Sequence, residues 1–387
     1  MKSFSLLMMG IFLSVILFSC RESYTPPQIT TPSNYLVVEG LINTSPTDTT
    51  TITLSRTINL NSKTTTKAET KAIVTIESDA NNSYPLKEIK TGTYITPPPG
   101  LSKTAKYRLR IITTDGKTYL SDFTLVKESP VIDSLTYTQP ANGLQVNIST
   151  HDATNNTRYY RYEYVETWQY ESAFGTSFMF VGGQVVDRPP AKQIFDCWQS
   201  NNSADIVLAS SAKLTQDVIA NTPVTTVPRA SEKLKIDYSI LVKQYALTQD
   251  AFNFWQNLKK NTEQLGSIFD AEPSTIQGNI HNVNNSAEPV FGYVSAGTVQ
   301  QKRIFVRRIK LTGDGWATDD PNKTCRDTSL MKLVLLPGLS DFVNGTRIPL
   351  AAVYNNIGIL IGYTGNITTC VDCTTRGGTN HQPSFWQ

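Results

Sequence analysis

The stretch Tyr107-Arg-Leu-Arg-Ile-Ile-Thr113, followed by Asp115-Gly116 and Lys117-Thr-Tyr-Leu-Ser-Asp-Phe-Thr-Leu-Val126, decides the fold class. Tyr107, Leu109 and Ile111 alternate with Arg108 and Arg110. A two-residue period of this kind puts one apolar face of a strand inward and one charged face outward. Asp-Gly is a turn signal because the tight hairpin turn needs positive φ at its centre. Residues 117–126 then read as the return strand.

The same pattern continues upstream. Residues 35–42 are β-branched and end in turn residues, and in 49–58 Ile52, Leu54 and Arg56 share one parity. Residues 72–77 alternate again, and a short strand opening at 92–94 is stopped by Pro97-Pro-Pro-Gly100. Short strands at this spacing, with turn residues between them, predict a β-sandwich of immunoglobulin-like or transthyretin-like type over residues 35–127. Ser129-Pro130 marks the boundary. Residues 128–387 are expected to form a second β-rich domain, fibronectin-III-like, with strands at 132–137, 144–150, 159–170, 238–247, 302–310, 332–336 and 358–363.

One helix interrupts this second domain, at about residues 248–262. Thr248 is suited to cap its start, and Asp250 complements the positive end of the helix dipole. Ala251, Trp255 and Leu258 fall on one face, with Phe254 beside it, so the helix is expected to pack on a sheet.

Strand 159–170 is unusual. Tyr160, Tyr162, Tyr164, Glu166, Trp168 and Tyr170 share one parity. One reading packs this face into the core. The other has its outer end, Trp168 and Tyr170, lining a ligand or partner surface, where aromatics supply contact area at low entropic cost.

The N-terminus carries a different message. Lys2 precedes an apolar run over residues 4–18, too short for a stable spanning helix and laid out as an export signal. The run closes on Leu17-Phe-Ser-Cys20. A Leu three places before a Cys, with a small residue before it, meets the requirement of bacterial lipoprotein processing. Residues 1–19 are therefore read as the signal and Cys20 as the lipidated residue. Residues 20–34, with Pro26, Pro27 and Pro32, form a tether. Two or three acyl chains such as palmitate anchor firmly, at about 0.8 kcal/mol per buried CH₂. The membrane is thus the first expected partner.

Lys and Arg number 35 against 32 Asp and Glu, with no basic stripe, which argues against nucleic acid. Beyond Cys20 the cysteines are Cys197, Cys325, Cys370 and Cys373. An even set in an exported chain reads as two disulfides, with the pairing open among three choices and the last two cysteines stapling the tail. Cys370-Val-Asp-Cys373 also invites zinc or redox readings. Zinc needs further ligands at close spacing, and Thr374-Thr-Arg-Gly-Gly378 is a poor start for the helix a thioredoxin-like motif requires. The three histidines, His151, His281 and His381, lie far apart in sequence. No phosphate loop, dinucleotide fingerprint or nucleophile elbow is present. The acidic loop of Asp314, Asp319, Asp320 and Asn322 lacks calcium-loop spacing. No catalytic residue, metal or cofactor is therefore assigned, and an enzyme is unsupported.

Several stretches together resemble a known family. They are Tyr35-Leu-Val-Val-Glu-Gly40, Tyr238-Ser-Ile-Leu-Val-Lys-Gln-Tyr-Ala-Leu247 with Ala251-Phe-Asn-Phe-Trp255, Gly266-Ser-Ile-Phe-Asp270, Pro273-Ser-Thr-Ile-Gln-Gly-Asn279, Gly292-Tyr293, Lys302-Arg-Ile-Phe305, and the tail from Cys370 to Phe385-Trp386. The pattern resembles the Bacteroidota outer-membrane lipoproteins grouped as domain of unknown function 4249. The resemblance implies an accessory or substrate-binding role beside a TonB-dependent outer-membrane receptor, and it carries no catalytic residues. The rival expectation is a surface adhesin or scaffold without a transport partner. The resemblance also brings in O-glycosylation, for which Asp48-Thr49-Thr50 and Asp133-Ser134-Leu135 fit the short acceptor pattern. Thr49 and Ser134 are the candidate acceptors.

The Cys20 reading has a direct test. Cys20→Ala is expected to release the protein from membranes or leave it unprocessed, as read by fractionation and intact mass. Unchanged attachment and mass would refute lipidation.

Overall fold

The computed structural model describes residues 34–58, 67–263, 277–326, 331–335 and 339–386. The signal, Cys20 and nearly all of the tether lie outside the described residues. The chain is mainly β.

The first unit is a circuit of strands. Leu36–Asn43 pairs antiparallel with Thr50–Arg56, which pairs with Thr93–Thr96. The order then runs through Ser83–Lys90, Ile73–Ser78 and Lys106–Ile112. Alternation is strict: in Thr50–Arg56 every second residue is buried, and Ile52 and Leu54 are fully enclosed. The return strand is not continuous as expected. It breaks at Asp122-Phe123 into Thr118–Ser121 and Thr124–Lys127. The first half pairs with Arg110–Ile112, and the second with Lys106 and Tyr107 and also with a strand from far along the chain. This break lets Thr124–Lys127 pair on both sides and close the circuit.

That distant strand alters the expected domain division. Residues 35–127 do not complete the first unit alone. Ile280–Asn282 adds beside Thr118–Ser121, and Ser295–Gly297 inserts in parallel between Leu36–Asn43 and Thr124–Lys127. Ile280, Val290, Val294 and Ala296 join the same buried cluster as Leu36, Ile52 and Tyr94. Glu288 clamps the insertion from outside. It accepts hydrogen bonds from the Tyr119 hydroxyl (2.7 Å), Lys117 Nζ (3.0 Å) and Asn282 Nδ2 (2.7 Å). Burial opposes the Glu288 charge, but these three donors outweigh it and hold the carboxyl below the usual range.

The insertion requires close backbone approach. A methyl group on Gly297 would stand 2.1 Å from the Lys127 carbonyl oxygen, and one on Gly292 would stand 2.0 Å from that of Val38. Neither collision involves a flexible side chain that could move aside. Only glycine fits both places.

The second unit is a sandwich. Ile132–Thr138, Gly143–Asp152 and Asp217–Pro228 form one sheet. Asp196–Asn202, Tyr159–Glu171, Asp237–Ala246 and Val299–Arg307 form the other, with Val207–Ser210 beside the long strand. Both sheets contribute to one core. The shared-parity residues of Tyr159–Glu171 all point into it. Tyr160 and Tyr170 are 0 % exposed, and Trp168 is 6 %. The surface reading of Trp168 and Tyr170 is therefore overturned. The reason lies about 200 residues away. The Tyr170 hydroxyl donates to the Cys373 carbonyl at 2.8 Å and accepts from the Gly378 N–H at 3.1 Å, so the tail covers the end of the strand. Arg376 stacks over the same ring at 4.4 Å and pairs with Glu232.

Two disulfides hold that tail: Cys197–Cys373 and Cys325–Cys370. The two cysteines of the C-x-x-C motif thus reach different partners. They close loops of 176 and 45 residues, for which the chain-entropy picture gives on the order of 3–5 kcal/mol each. A small third cluster of Val334, Leu339 and Phe342 lies under Lys332–Leu335, Arg347–Tyr354 and Leu360–Ile367, beside the hairpin of Phe178–Val181 and Gln184–Asp187.

The Gly297 contact yields a measurable expectation. Gly297→Ala should cost on the order of 1–3 kcal/mol by overpacking. It should be read as a lower urea midpoint with an unchanged slope. A wild-type midpoint would contradict the close approach.

Candidate functional site

The long strand has a second face. If Tyr160, Tyr162 and Tyr164 fill the core, then Tyr159, Arg161 and Glu163 must face the other way. Their cross-strand neighbours in Asp237–Ala246 are fixed by register: Arg161 lies opposite Tyr245, and Glu163 opposite Lys243. Tyr245 donates its hydroxyl to Glu163 Oε2 at 2.6 Å, and Arg161 Nη1 meets Glu163 Oε1 at 2.9 Å. Burial, and then the Glu163 carboxylate beside it, pushes the Tyr245 phenol well above its ordinary value. It stays a neutral donor across the physiological range.

The helix Gln249–Glu263 lies over this face. Thr248 caps it as expected, its Oγ1 accepting from Ala251 N at 3.2 Å. The buried residues are Ala251 and Phe254. Trp255, expected on the packed face, is only half-buried because its ring leans on Arg161. The guanidinium carbon sits 4.0 Å from the Trp255 centroid and 4.7 Å from that of Tyr245. A cation between two aromatic faces gains about 0.5–2 kcal/mol per ring. Arg161 Nε is enclosed in this slot and meets no acceptor among the described residues. Phe254 also packs on Tyr293 at 5.4 Å, and Tyr159 on Phe252 at 5.0 Å.

The first unit supplies the opposite wall. Val37 to Leu41, Thr49, Thr51, Phe291, Gly292 and Tyr293 face Arg161, Glu163, Lys243, Tyr245, Phe254, Trp255, Leu258 and Val299 across a cavity of about 510 Å³. A second hollow of about 480 Å³ adjoins it. The two share Glu39, Gly40, Thr51, Glu163 and Lys243, and the second adds Asn202 and Ser203. Apolar aromatic walls with a few convergent polar groups, set between two units, are the usual form of a small-molecule site. Among the described residues no three His, Cys, Asp or Glu side chains gather to hold a metal ion.

The residues singled out in the sequence are placed elsewhere, with one exception. Trp168 and Tyr170 are in the core, and the four cysteines staple the tail. Ser134 is half-buried beside an irregularity between Ile132 and Ser134, while Asp133 is exposed and meets His151 Nδ1 at 2.8 Å. Thr49 is exposed and stands on the cavity rim. The cavity residues themselves were missed. The available signal was the charged parity of residues 159–163, which the aromatic parity overshadowed.

A family model described as Domain of unknown function (DUF4249) matches residues 21–303. That span includes both walls of the cavity and ends before the tail cysteines. No curated protein matches the chain. Among solved structures, a two fibronectin type-III domain segment from chicken tenascin is 14 % identical, over 56 % of this chain and 91 % of that one, with a TM-score of 0.16. A superposition so loose carries no argument about this fold.

Tyr245→Phe tests the wall of the cavity. It leaves Glu163 Oε2 without its phenolic donor, and water can replace part of that bond. Stability is expected to fall by about 1 kcal/mol, measured by urea unfolding. No change would mean that the hydroxyl does not support Glu163.

Proposed function

The chain belongs to the family described as Domain of unknown function (DUF4249), and on that premise we propose that it is a non-enzymatic, lipid-anchored ligand-binding subunit at the outer membrane, working beside a TonB-dependent importer. The observation that carries this reading is the cavity between the two β units. Its volume of about 510 Å³ falls within the range of sites that enclose small ligands. Its lining suits holding: aromatic faces from the helix, paired charges on the sheet, and neither histidine nor cysteine among the lining residues.

Cys20 is the proposed anchor, with residues 21–34 as the tether that lifts the folded part from the lipid. The family resemblance motivates the transport partner. The paired β units and their cavity motivate the binding role.

The test is a pull-down of tagged protein at native expression in gentle detergent. An outer-membrane barrel recovered in near-equal amount is the expected result. Recovery of the lipoprotein alone would overturn the transport reading and favour an adhesin or scaffold.

A further inference from the structure

Among the described residues, two charges in the cavity have no ion-pair partner. Lys243 is half-buried on Asp237–Ala246, and Glu39 is exposed on Leu36–Asn43, on the facing wall. Both line the main cavity and the adjoining hollow, so they stand where the two meet. Among the described residues neither has an ion-pair partner within 4 Å. Their neighbours differ: Arg161 and Glu163 pair with each other, and Tyr245 completes the set.

The four charged side chains sum to zero. A ligand of net charge would leave one sign in excess, whereas a ligand carrying one charge of each sign would complete both open partners. From that junction the main cavity runs to an apolar wall of Phe254, Trp255, Leu258, Phe291 and Tyr293. A neutral polar ligand would meet Lys243 and Glu39 with hydrogen bonds ionised on one side only, and would leave both charges without a counter-charge. It would also leave the aromatic wall unmatched.

We propose that the cavity takes a zwitterion with a bulky apolar side chain, either a free α-amino acid or a short free-ended peptide. Its ammonium meets Glu39, its carboxylate meets Lys243, and its side chain lies against the aromatic wall. The inference rests on the cavity being a ligand site, but not on any transport partner.

The test uses the full lipidated chain in detergent and two probe pools. One holds free Leu, Ile, Phe, Tyr and Trp. The other holds free-ended tripeptides of the same residues. Equilibrium dialysis with mass spectrometry reads which pool is retained, which distinguishes the two sources. N-acetylation and C-amidation of the retained ligands should each weaken binding about tenfold, the loss of one charge-assisted bond. Glu39→Gln should abolish the sensitivity to acetylation and keep that to amidation. Lys243→Met should do the reverse. Among the described residues neither side chain has a partner to lose, so both variants are expected to fold. Retention of neither pool, or binding indifferent to both blocked ends, would overturn the proposal. A barrel that co-purifies while neither pool binds would refute the ligand class and leave the transport reading standing. Bound zwitterion without a barrel would do the opposite.

Discussion

The parallel insertion of Ser295–Gly297 is the contact on which the rest of the architecture depends. Leu41 to Asn43 pair with it on one side, and Val126 and Lys127 on the other. The chain leaves the first unit at Lys127 and leaves it again at Gly297, in adjacent rows. Ser129 N then donates to Thr298 Oγ1 at 2.9 Å, and Ser129 Oγ donates to the Gln244 carbonyl at 3.1 Å. Two exits side by side, tied to the second sheet by hydrogen bonds, hold the two units in register. The same returning segment carries Phe291 and Tyr293 into the cavity. One backbone ladder therefore sets both the joint between the units and a wall of the site.

The long strand Tyr159–Glu171 is the second organising element. Its alternation separates two kinds of chemistry by less than the width of a sheet. Inward, Tyr160 donates to Asp217 and Tyr238 donates to Glu166, so buried phenols satisfy buried carboxylates. Burial, with those carboxylates beside them, pushes both phenols far up, which keeps them protonated donors. Outward, Arg161 and Glu163 meet aromatic rings at the edge of open space. The core side is closed, with the Tyr162 hydroxyl alone on that face of the strand meeting no partner among the described residues, and the cleft side keeps charges open to a ligand.

Much of this was legible in the residues. Alternation located the strands that carry it cleanly, such as Lys106–Ile112 and Tyr159–Glu171. Thr248 and Asp250 located the helix start. An even set of cysteines beyond Cys20 read as paired, and the structure supplies the pairing. Other elements carried no local signal. Ser295-Ala-Gly297 is three small residues with neither alternation nor β-branching, and its place depends on a partner some 250 residues earlier. Trp168 and Tyr170 looked able to face outward because what covers them, the tail at Cys373 and Gly378, is remote in sequence. The cavity was hidden for the same reason: its walls come from residues near 40, 161, 243, 255 and 292. Only tertiary assembly brings them together, and periodicity reports only neighbours along the chain.

The late arrival of Ser295–Gly297 also sets a timetable for assembly. A chain made from its N-terminus presents Leu36–Asn43 long before its parallel partner, Ser295–Gly297, emerges. Until residue 297 is available, that strand is an unpaired edge, open to pairing with other chains. Contacts this distant in sequence also slow folding, since the loop must close before the ladder can form. The first unit to emerge is thus sealed only when residue 297 follows, just ahead of the Val299–Arg307 strand that completes the second sheet. A period with that edge uncovered is built into the topology of the protein.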